Sequence, residues 1–140
     1  MTPYDERIRA EFRLVARTVR LMRQVLDKPR ISKADWMAVG GFVFNVYSGV
    51  ENVLKLSLRA RGIATPPDSP SSHRDLLDAA QKHGLIGQAL KDELDEYRAF
   101  RHFFAHGYGV MIDPKQMGDL AAKLPVVWRA FRSSITRVRA

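Results

Sequence analysis

The chain has 140 residues, no cysteine, and 23 Lys+Arg against 15 Asp+Glu, a formal net charge of +8. This length and a hydrophobic content of 46% suit one domain with a real core, so residues 1–140 are expected to form a single domain. Without cysteine there is no disulfide framework, thiolate metal site or cysteine nucleophile, which leaves histidine, carboxylates and hydroxyls for chemistry.

The first segment, residues 3–27, places Ile8, Phe12, Val15, Val19, Met22 and Leu26 at alternating steps of four and three, one apolar stripe of an amphipathic helix. Thr2 is its predicted N-cap, with Pro3 in the first turn and Asp5 completing a capping box. A second helix opens at "SKAD" and carries Trp36, Val39, Val43, Val46, Val50, Val53 and Ser57 in the same rhythm until Gly62 stops it near Arg61. Phe42, Tyr47, Leu54 and Leu58 make it apolar on more than one face, as expected of a central helix or one buried against a second chain. "IATPPDSPSS" then breaks the pattern as an exposed loop. Ser72 with Asp75 restarts a short helix that Gly84 ends. A fourth helix, Gln88 to Ala105, has Leu90, Leu94, Tyr97, Arg101 and Phe104 on one side, and a fifth opens at Asp113 with Pro114 in its first turn. No alternating strand pattern competes, so the expected fold is an all-α antiparallel bundle of four long helices plus a short one. The N-terminal residues lack a signal-peptide core, and "WMAVGGFVFNVYSGV" is too short and too interrupted by Asn45 and glycine to span a bilayer; a cytoplasmic location with no membrane partner is expected.

Chemistry concentrates in "YRAFRHFFAHGYG", residues 97–109. Arg101 falls on an apolar stripe, where its charge needs a partner, and His106 follows five residues later, beside the glycines that end the helix. Positions five apart lie about 140° apart on a helix, so convergence on one ligand relies on arginine's length and on unwinding at the glycines. An ordinary helix ending accounts for the same residues: Gly107 as the left-handed residue, Tyr108 packing back on Phe103, and His106 complementing the helix dipole. A third account takes His102 and His106, four apart, as a metal pair, but no third ligand stands at motif spacing.

"RHFFAHGY", residues 101–108, resembles the Arg-x4-His-x-Tyr motif of the HEPN superfamily, in particular the HepT-like toxins of HEPN and minimal-nucleotidyltransferase toxin–antitoxin pairs. "FNVYSGVENVLK" (44–55), "HRDLL" and "FRHFFAHGYG" with the following "DP" come in that family's order, so the resemblance covers essentially the whole chain. It implies a HEPN-like two-fold homodimer acting as a metal-independent endoribonuclease without cofactor, with the motif residues of both chains meeting at the interface. It further implies Arg101 and His106 as catalytic residues and Tyr108 as the tyrosine to which a partner nucleotidyltransferase antitoxin transfers AMP.

The implied chemistry suits the residues. Cleavage of RNA through its own 2′-hydroxyl needs a base, an acid and positive charge for the phosphorane. Histidine does either proton job near neutral pH, and arginine's fork grips phosphate while staying charged. Glu51, Asn45 and His102 are candidates for supporting roles; Glu51 has two candidate partners, Arg101 across helices or Lys55 within its own. The excess of positive charge attracts polyanions, and Arg9, Arg13, Arg17 and Arg20 on the first helix, with Arg129 and Arg132 on the last, form either an RNA track or solvated faces. His73 and His83 read as surface residues near helix ends. Against the ribonuclease reading stand a non-catalytic HEPN module that binds a nucleotidyltransferase or nucleic acid, and an unrelated helical metal-binding or scaffold protein.

Overall fold

A computed structural model describes residues 2–139. It contains α1 (Pro3–Leu26), α2 (Lys33–Ala60), α3 (Ser72–Lys82), α4 (Gln88–Ala105), a 3₁₀ turn (Tyr108–Met111) and α5 (Pro114–Arg139). Among the described residues there is no strand, and the protein is all-helical.

Local chemistry sets the helix starts. The Thr2 side chain accepts the Asp5 N–H at 3.2 Å while the Asp5 carboxylate accepts the Thr2 N–H at 2.9 Å, and Ser32 with Asp35 repeats the device at 3.0 and 2.9 Å. Each box satisfies donors that the first turn leaves without carbonyl partners. The third helix departs from expectation by one residue. Ser71, not Ser72, occupies its cap position, and the Ser71 hydroxyl donates to Asp75 at 2.9 Å instead of accepting a backbone N–H. Gly62, Gly84 and Gly107, all at positive φ, follow the ends of α2, α3 and α4.

The core lies around α2, which touches every other helix. From α1 come Ile8, Phe12, Val15, Val19 and Met22, and Gly49 on α2 lets Val15 approach its backbone. Leu76 and Leu77 of α3, Leu94 and Tyr97 of α4, and Phe131 and Ile135 of α5 fill the remaining sides of α2. Two side-chain hydroxyls inside the protein find specific acceptors. Tyr97 Oη donates to the Leu120 carbonyl at 2.7 Å and Ser134 Oγ to the Leu85 carbonyl at 2.6 Å, fixing α5 against α4 and against the turn that follows α3. Arg139 pairs with Asp5, joining the end of α5 to the first turn of α1. Among the described residues no helix is long and apolar enough to cross a membrane.

Candidate active site

The end of α4 organises the motif. His106 is the C-cap, its N–H bonded to the His102 carbonyl at 3.2 Å, and Gly107 turns the chain at φ +82°. A side chain at that φ is strained, so glycine suits the turn. Tyr108 then lies against Phe103, ring centroids 5.7 Å apart, and remains half exposed. His106 Nδ1 sits 2.8 Å from the His102 carbonyl oxygen. A carbonyl only accepts, so Nδ1 carries hydrogen and the lone pair of the neutral ring is on Nε2. The His102 ring stacks on it at 4.1 Å.

Arg101, one turn earlier, is partly buried across α2. Phe44 and Glu51 are seven residues apart, two helical turns, and share one face of that helix. The guanidinium lies over the Phe44 ring at 4.9 Å, and Arg101 Nε stands 3.8 Å from Glu51 Oε1, within ion-pair range but beyond a hydrogen bond. Among the described residues the buried Arg101 Nε has no hydrogen-bond partner. Glu51, 3% exposed, is matched through His73, whose Nδ1 lies 2.9 and 2.7 Å from its two oxygens. The opposite ring nitrogen, His73 Nε2, is 3.2 Å from Arg101 Nη1. Three helices thus contribute one connected set: a carboxylate from α2, an imidazole from α3 and a guanidinium from α4. Of the two candidate partners of Glu51, the cross-helix one, Arg101, is present, and the intervening imidazole carries no signal in the periodicity. His73 lies near the start of α3 with its side chain 39% exposed, as expected of a surface residue near a helix end, and is in addition a member of this set. Behind this set Tyr47 is buried, and desolvation, followed by the Glu51 charge, pushes its hydroxyl pKa up so that it stays neutral.

These groups open on a cleft of about 550 Å³ whose walls include Ser69, Ser71, His73, Arg98, Arg101 and His106. Arg98 is held by Asp95 at 2.6 Å, which raises the arginine's pKa and lowers the aspartate's. The proline-rich loop contributes Ser69, Pro70 and Ser71 to the wall.

The other candidates fall elsewhere. Asn45 is exposed and roughly 120° round α2 from Glu51. Arg13, Arg17 and Arg20 are exposed on α1, and Arg129 and Arg132 on α5, where Arg132 lies over Phe12 at 5.5 Å. Because α1 packs on the Gly49 face of α2, about 200° from Glu51, that arginine row and the cleft belong to different sides of the chain. Among the described residues no group of three or more His, Asp or Glu side chains is placed to hold a metal, so His102 and His106 stand as a stacked pair.

An all-helical chain with an arginine and a histidine at the end of one helix, turned towards a common cleft, has the form of a HEPN domain. Residues 38–140 match the family model described as HepT-like protein, and the chain belongs to that family of the HEPN superfamily. No curated protein and no solved structure matches it.

Proposed function

We propose that the protein is the toxin of a toxin–antitoxin pair, a metal-independent endoribonuclease that works as a two-fold homodimer of antiparallel helical bundles. The observation that carries this reading is that Arg101 and His106 line one cleft and that, among the described residues, no hydrogen bond takes up His106 Nε2 or the Arg101 Nη2 group. In the dimer a second His106 comes from the partner subunit, so one imidazole takes the 2′-hydroxyl proton while the other protonates the leaving 5′-oxygen. Arg101 stabilises the charge that builds on the phosphorane. DNA lacks the 2′-hydroxyl nucleophile and is spared. Tyr108, half exposed just beyond His106, suits AMP transfer by a nucleotidyltransferase antitoxin, because the added phosphate and bulk would compete with RNA for the same cleft.

The test is cleavage of RNA by purified protein in the presence of EDTA, with a 2′,3′-cyclic phosphate on the product. His106→Ala should abolish cleavage and toxicity while leaving helicity and dimerisation intact. Equal toxicity of the two proteins would turn the reading towards a binding module that cuts nothing.

A further inference from the structure

The orientation of Arg101 depends on a histidine outside the motif. A carboxylate only accepts hydrogen bonds, so the His73 ring, with Nδ1 2.7 and 2.9 Å from the oxygens of Glu51, donates through that atom. An arginine only donates, so Nε2, 3.2 Å from Arg101 Nη1, accepts. Both contacts exist together in one protonation state only, the neutral Nδ1–H tautomer. A proton on Nε2 would set donor against donor and end the hold on Arg101, while strengthening the attraction to Glu51.

We propose that His73 is a positioning residue of the active site: fixed by Glu51, its neutral imidazole holds the Arg101 guanidinium at the cleft wall in the place where it meets the phosphate. The guanidinium's other neighbours do not define its direction. Phe44 offers a ring face, which restrains height more than heading, and Glu51 is too far from Nε for a directed bond. This role rests on the ribonuclease reading for its catalytic consequence but not for its geometry.

The experiment compares His73→Ala with His73→Gln, whose amide can donate to Glu51 and accept from Arg101 but cannot titrate. His73→Ala should lower kcat about 100-fold, the usual effect of a misplaced catalytic group, with KM within about threefold. His73→Gln should recover most of that loss. Native kcat in His73→Ala would overturn the proposal. If His73→Gln were as inactive as His73→Ala, the ring would be moving protons itself, and the positioning role would be wrong. Nitrogen-15 spectra of the imidazoles separate this idea from the ribonuclease reading. A neutral Nδ1–H tautomer for His73, lost in Glu51→Leu, supports the hold on Arg101 even in a protein that cuts no RNA, whereas an Nε2–H tautomer in a protein that does cut RNA sinks the hold alone.

Discussion

Three glycines of α2 give the packing argument its sharpest test, because the same substitution should have three different outcomes. Alanine in place of glycine within a helix gains about 1 kcal/mol from backbone entropy alone. At Gly41 a new Cβ meets only Phe104 Cζ at 3.9 Å, an ordinary contact, so the gain should appear in full. At Gly40 the Cβ would lie 2.8 Å from Ile112 Cδ1 and 3.0 Å from Phe104 Cε2. The isoleucine tip can swing away, but the ring must shift by a few tenths of an ångström, which offsets most or all of the gain. At Gly49 the Cβ would overlap Val15 Cγ2 more closely than real side chains do. Valine in a helix is confined almost entirely to one rotamer, so the helices themselves must part, and overpacking of this kind costs about 1–3 kcal/mol. For a chain of 140 residues each kcal/mol moves Tm by about 3 °C. Thermal melts followed by circular dichroism should therefore rank Gly41→Ala above the native protein, Gly40→Ala near it, and Gly49→Ala several degrees below. A Gly49→Ala protein melting at or above the native temperature would refute the close approach of α1 to α2 and with it the separation of the α1 arginines from the cleft.

Other expectations follow from single contacts. Ser134→Ala removes the donor to the buried Leu85 carbonyl and should cost about 1–3 kcal/mol in denaturant unfolding, far more than substitution of a surface serine. The Asp35 carboxyl is held below its usual pKa, chiefly by the Ser32 N–H and then by Lys28. Its stabilising effect is therefore complete above the unfolded value near 4 and disappears as pH falls through the lowered folded value, so the melting curves of native protein and Asp35→Asn should converge in acid and differ by a constant amount at neutral pH. Replacing Arg13, Arg17 and Arg20 by glutamine should flatten the salt dependence of RNA binding by up to about two in log–log slope if the row carries phosphates, and an unchanged slope would leave it as a solvated face.

Helix boundaries were legible because they depend on neighbours in sequence. The two capping boxes, the breaks at Gly62 and Gly84, the span Gln88–Ala105 and the return of Tyr108 onto Phe103 all involve residues within about five positions of one another. Arg101 also stood out locally, as a charge on an apolar stripe. His73 did not, because its partners are 22 and 28 residues away and the proline-rich loop that returns it to α2 carries no periodic signal. One clue lies in the sequence: a glutamate inside the apolar pattern of α2 needs a counter-group, but Lys55 and Arg101 both answer that need by spacing or motif, and nothing local singles out a histidine on the short helix.

The position of Glu51 has a consequence for how the protein would find RNA. Buried behind the wall, Glu51 offsets the charge of Arg101 alone. The cleft is also lined by Arg74 and Arg98 and, among the described residues, by no carboxylate, so part of the pull on a distant polyanion originates at the cleft itself and the rest at arginines spread over the surface. Added salt should therefore slow encounter with RNA more than it slows turnover of RNA already bound.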